Sequence, residues 1–260
     1  MVWSLMRMAS RYSTRRAEFA CLAGLFVSGT LRAADDEHWL DVEGQIQYSY
    51  YTEEQRALTN LGARLDLKEG AQPLQGYYAG LAYFRLALTR ESADKSGAAQ
   101  ASEHCVASLD QALQARADWA EALALQGACL AMLAELKPLR APLAGPRSHT
   151  QLAHALALEP HNPRVLLLDG WLDREHPGRA AAPKARGCEK FAAAIAAFEA
   201  ARPGEEHVPE WGPAEGYTYR AQCDFERGDA AAARDALERA LLIAPDYQLA
   251  RRMMARITSG

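Results

Sequence analysis

Cys105, Cys129, Cys188 and Cys223 are the residues whose chemistry depends most on compartment. In an oxidising environment they could join in pairs; in a reducing one they would fill close helix contacts as small apolar side chains. The seven histidines offer less, being scattered. His149 and His154 are five residues apart and miss the i, i+4 spacing that sets two imidazoles on one helix face around zinc. Ser148 and His149 are sequence neighbours and would point in different directions on a helix, so they cannot serve as nucleophile and base. Acidic runs such as Asp35-Asp36-Glu37 and Glu205-Glu206 lack the apolar surroundings that would raise a carboxyl pKa. HExxH, GxSxG and glycine-rich phosphate loops are absent from the sequence. These residue types predict a non-enzyme with no metal and no cofactor.

Such a chain must be explained by its scaffold. Its 260 residues are 49% hydrophobic, with 29 Lys and Arg against 33 Asp and Glu, which argues against disorder and against a multi-spanning membrane protein. The acidic balance gives no basic footprint for nucleic acid. Alanine is abundant while Val and Ile are scarce, so helix is favoured over strand. The N-terminus is a regime of its own. Arg7, Arg11, Arg15 and Arg16 precede the apolar run Phe19–Val27, and small residues follow up to Ala34, the layout of a secretory signal peptide over 1–33. From Phe19 to Leu31 there are 13 residues, against about 20 for a spanning helix, so an N-terminal anchor is the weaker alternative. Cleavage would remove Cys21, five Arg and one Glu, leaving 24 basic against 32 acidic residues. Export predicts a periplasmic or secreted protein and permits disulfides.

Periodicity after residue 34 is helical. Ala233, Leu237, Ala240, Leu241 and Ala244 recur on one face of a helix that Pro245 ends. Tyr217, Ala221 and Phe225 mark the helix before it, and Gly228-Asp229 supplies a C-terminal glycine followed by an N-cap. Residues 214–247 therefore form a 34-residue helix-turn-helix.

This unit resembles the tetratricopeptide repeat, whose aromatic, small residue, Gly-Asp turn, alanines, large apolar residue and closing proline are matched here by Tyr217, Ala221, Gly228, Asp229, Ala233, Leu237, Ala240 and Pro245. Arg220 and Asp224 depart from the pattern. Degenerate copies precede it. Gly80, Gly127 and Gly170 mark first helices, Ala112, Ala155 and Ala201 mark second helices, and the repeats run 73–118, 119–162, 163–209 and 210–247. Residues 34–72 form an N-terminal segment and a capping helix opened by a Thr52-Glu-Glu-Gln55 capping box. Trp39–Tyr51 is compatible with helix or with extended chain. Residues 248–258 are a closing helix, completing an all-α solenoid over 73–260.

The resemblance implies a bacterial exported scaffold or adaptor that holds a peptide or helix of a protein partner in its concave groove. In this register Tyr77, Phe84, Arg85, Trp171, Arg174, Thr218, Gln222 and Phe225 line that groove, and exposed aromatics beside Arg are what binding hot spots use; irregular repeats would turn some of them inward to pack. The register places Cys105 beside Cys129 and Cys188 beside Cys223, on helices stacked side by side. Extra length falls between paired helices, at 89–97, 136–147 and 173–187, as basic loops carrying Arg140, Arg147, Arg179 and Lys184. A basic edge on an acidic chain predicts contact with an acidic partner or with anionic components of the envelope.

Overall fold

The computed structural model describes residues 37–66, 72–175, 184–201 and 209–259, apart from the side chain of Lys184. The leader expected over 1–33 lies outside the described residues, as do Cys21 and Arg179. The described residues hold eleven α-helices and no strand. Helix α1 spans 37–51 and α2 spans Gln55–Asp66. Four antiparallel pairs follow: α3 (Pro73–Arg90) with α4 (Lys95–Ala115), α5 (Ala120–Leu136) with α6 (Ala141–Leu158), α7 (Pro163–Glu175) with α8 (Lys184–Ala200), and α9 (Pro213–Glu226) with α10 (Ala230–Ile243). Helix α11 (Gln248–Ser259) closes the stack. The fold is an all-α helical repeat.

The last pair shows why the sequence turns where it does. Gly228 adopts φ +83°, a conformation a side chain would disfavour. Its amide bonds to Phe225 O and that of Asp229 to Asp224 O, satisfying two carbonyls at the end of α9. The Asp229 carboxylate then accepts from the Ala232 amide at 3.0 Å and starts α10. Both helices have 14 residues. Upstream the extra length is largely helical, because α3 to α6 run to 18, 21, 17 and 18 residues. The loops expected at 89–97 and 136–147 are correspondingly short. Asp94 caps α4 by accepting from Gly97 N at 2.8 Å, and a 3-10 turn, Pro138–Arg140, leads directly into α6. The capping box does not form either: the Thr52 hydroxyl donates back to Tyr48 O at the end of α1, and Glu53 turns the chain at φ 60°.

The first helices of the pairs form an inner layer and the second helices an outer one. Helix α3 is buried on every side from Gln75 to Ala87, whereas α4 buries a single face through Ala98, Ser102, Cys105, Leu109 and Ala112. Close approach within pairs needs small residues. A Cβ on Gly80 would lie 2.6 Å from Leu109, and one on Gly170 would lie 2.9 Å from Phe191. Successive pairs are joined covalently, Cys105 of α4 to Cys129 of α5 and Cys188 of α8 to Cys223 of α9, with Cα separations of 6.2 and 5.9 Å. Each bond links the second helix of one repeat to the first helix of the next.

Two outcomes test this architecture. Ala233 is fully buried between α9 and α10, so Ala233→Phe is expected to cost about 1–3 kcal/mol by overpacking, and a melting temperature equal to that of the wild type would refute the register. Thiol titration of unfolded, unreduced protein should find none of the four cysteines free, and reduction should lower stability by about 2–4 kcal/mol per bond.

Candidate functional site: the concave face

The concave face is not empty, because the chain fills it with α1. Trp39, Val42, Glu43, Ile46, Gln47 and Tyr50 are buried, at steps of i, i+3, i+4, i+7, i+8 and i+11, while Asp41, Gln45 and Tyr48 face solvent. This is an amphipathic helix lying in a groove. Four of these six side chains are polar or aromatic, and each meets a specific counterpart, although the Trp39 indole N–H is buried without a hydrogen bond. The Trp39 ring stacks on Tyr78 at 5.5 Å. The Glu43 carboxylate accepts from the Tyr78 hydroxyl at 2.9 Å and from the Glu210 amide at 3.0 Å. Gln47 donates to Glu215 at 2.8 Å and accepts from Arg85 Nε at 3.1 Å. Tyr51 donates to the second Glu215 oxygen, and Tyr50 lies 3.1 Å from the hydroxyl of Tyr247.

At the centre Arg85 and Glu215 form a fully buried ion pair. They come from α3 and α9, so the first repeat meets the last. The Arg85 guanidinium also sits 4.4 Å from the Tyr50 ring centroid and 4.9 Å from that of Trp211, within cation–π range. Burial alone would lower the pKa of Arg85, but Glu215 and the surrounding tyrosines reverse this and keep it charged. A second pair lies alongside, where Arg164 donates to Glu121 at 2.6 Å and Asn162 donates to the same oxygen at 2.9 Å. The other Glu121 oxygen is buried without a hydrogen bond. Burial raises the pKa of Glu43 to about 7, against the opposing pull of its Tyr78 and Glu210 donors.

Aromatic residues from each repeat converge on α3. Trp119 stacks on Tyr77 at 4.5 Å, Trp211 Nε1 donates to the Tyr77 hydroxyl at 2.8 Å, and Trp171 meets Phe84 edge-on at 5.4 Å. These contacts correct the expectation of an open groove. Tyr77, Phe84, Arg85, Trp171, Arg174 and Thr218 are all buried, because the first and last repeats close on one another around α1. Arg174 packs against both Cys188 and Cys223 and pairs with Glu226. Gln222 is half-buried and Phe225, 46% exposed, lies at the end of α9. The basic edge is likewise less free than its charges suggest, since Arg147 pairs with Asp110, and Lys137 and Arg140 reach Glu103 at 2.7 and 3.8 Å.

Glu43, Gln47, Glu215 and Arg164 are not marked as functional by the sequence. Glu43 and Gln47 were within reach, since they share a helical face with Trp39, Val42 and Ile46. Glu215 carries no local mark, because its partner is 130 residues away.

The fold has a counterpart among solved structures. The HusA haemophore from Porphyromonas gingivalis matches with a TM-score of 0.53 and 21% identity, over 71% of this chain and 92% of that one. At that identity the likeness concerns the fold alone. No family model matches the chain, and no curated relative does. Among the described residues no helix is long and apolar enough to cross a membrane, and no cluster of metal-ligating side chains is present.

The buried pair makes a sharp test. Glu215→Ala leaves Arg85 buried and unpaired, and urea unfolding should register a loss of about 3–5 kcal/mol; Arg85→Met combined with Glu215→Leu should recover most of it. A double variant no better than the single one would show that the charge is not the source of the loss. Glu43 adds a pH dependence. Its folded-state pKa is raised, so its stabilising contribution is complete below about pH 4.5 and is lost as pH rises toward 7. Glu43→Gln should flatten that slope.

Proposed function

We propose that the chain is a non-enzymatic binding protein of the periplasm or extracellular space, a helical-repeat scaffold whose concave face receives an amphipathic helix from a protein partner. The observation that carries this reading is the way α1 is held. A groove that served stability alone would be filled by apolar side chains, which pack at least as favourably as buried ion pairs. Here Arg85, Glu215, Tyr78 and the Glu210 amide read particular polar groups on the helix laid over them. Buried polar groups that must all be matched reject helices that cannot match them, which is how specificity arises.

On this reading α1 is the resident occupant, and it displays the chemistry the groove accepts: aromatic residues at both ends with a carboxylate and a carboxamide between them on one face. A partner helix must displace a tethered competitor whose effective concentration is in the millimolar range. The two disulfides suit an oxidising compartment, and the haemophore resemblance in fold is compatible with export.

A labelled peptide of residues 37–51 provides the test. It should bind a chain whose own α1 is weakened by Ile46→Ala and Gln47→Ala, and adding Arg85→Met should abolish that binding. Failure to bind the weakened chain, with its helicity confirmed by circular dichroism, would sink the proposal. Hemin titration of the intact protein is the companion measurement, because HusA is a haemophore by name. A stoichiometric Soret band that persists while α1 stays protected from hydrogen exchange would assign the protein to tetrapyrrole carriage instead.

A further inference from the structure

Away from the concave face, the start of the second repeat's outer helix exposes apolar side chains, as the end of α10 does at Leu242 and Ile243. Leu139 is 97% exposed and Leu143, one turn on, is 77% exposed. Pro138, Pro142 and Pro146 are exposed beside them, giving an uncovered apolar strip along the 3-10 turn and the first turns of α6. No acidic residue occurs between Leu136 and Leu158, a stretch that carries Lys137, Arg140 and Arg147 on a chain whose overall balance is acidic.

Near-complete exposure of Leu139 is informative about shape. No neighbouring side chain forms a wall around it, so the strip is a ridge and not a slot. A ridge gains little from a flat protein surface, whereas a bilayer interface offers an apolar medium to any protruding side chain and phosphates to the cations beside it. The cations are available for this. Arg140 is 62% exposed with its carboxylate 3.8 Å away, and the Arg147 and Lys137 pairs are solvent-exposed bridges of the kind that contribute little and exchange readily.

We propose that the ridge Pro138–Pro146 is a membrane-surface contact, in which Leu139 and Leu143 enter the headgroup region of an anionic bilayer while Arg140 and Arg147 meet lipid phosphates. The protein would then lie on the envelope membrane with α6 toward the lipid and with the concave face, built from the inner helices, directed away from it. The contact is independent of what occupies the groove.

Co-sedimentation of the intact protein with phosphatidylcholine vesicles and with phosphatidylglycerol-rich vesicles tests this. The wild type should bind the anionic vesicles and not the zwitterionic ones, and the binding should weaken with salt. Leu139→Ser with Leu143→Ser should lower partitioning more than about tenfold, since each buried CH2 contributes substantially to insertion. Both positions are exposed, so the melting temperature should not change. Arg140→Gln with Arg147→Gln should reduce the preference for anionic lipid. Leu242→Ser with Ile243→Ser, at a second exposed apolar pair 82% and 51% exposed, serves as the control. No binding of the wild type to either vesicle, or equal loss with the Leu242 and Ile243 variant, would overturn the assignment. So would an effect of the Leu139 and Leu143 variant on self-association alone, because that would identify a second copy as the partner.

Discussion

The ion pair between Arg85 and Glu215 is the constraint around which the molecule closes. Repeat proteins are ordinarily quasi-one-dimensional, each unit touching only its neighbours. Here α3 of the first repeat meets α9 of the fourth, with the charges fully excluded from water. Removing two such charges from water is costly, and their attraction compensates only when the remaining donors and acceptors are also satisfied. Gln47 of α1 supplies that completion by accepting from Arg85 and donating to Glu215. The curvature of the stack, the seating of α1 and the ionisation of the pair are therefore one coupled arrangement.

Helix α3 transmits the coupling. It is buried on every side, and it collects Trp39 from α1, Trp119 from the start of the second repeat, Trp171 from the third and Trp211 from the start of the fourth, through Tyr77, Tyr78 and Phe84. Large aromatic surfaces that converge on one helix give it a greater share of the buried area than a helix in a regular array would have. The two disulfides act elsewhere, tying second helices to the first helices that follow them. Covalent bonds thus secure neighbouring repeats, and noncovalent contacts secure the closure between distant ones.

The sequence revealed the parts of this arrangement that are written locally. Gly228 and Asp229 give a turn signal that any chain would obey, and the alanine and leucine stripe of α10 has one physical meaning. Gly80 and Gly170 were readable for a similar reason, since helices approach closely only where a side chain is missing. Other features were not local. Whether Arg85 faces solvent or a buried carboxylate depends on Glu215, 130 residues away, and on how far the stack curves. Turn-forming residues make the surplus between paired helices read as loops, but Asp94 and the Pro138–Arg140 turn use that chemistry to begin helices and not to avoid them. Trp39–Tyr51 left helix and strand open because its buried stripe mixes apolar with polar residues, and only the groove explains the polar ones.

The same contacts that hold α1 also determine what could replace it. A competing helix that brought only apolar side chains would bury the Arg85 and Glu215 pair without the carboxamide that completes it, and would leave the Tyr78 hydroxyl and Glu210 amide without an acceptor. Each buried group left unsatisfied costs about 1–3 kcal/mol, more where it is charged. Several such losses together exceed what a few extra methylenes could recover at about 0.8 kcal/mol each. Affinity for a competing helix would therefore be set less by its hydrophobicity than by whether it places a carboxylate and a carboxamide one turn apart, at the positions of Glu43 and Gln47.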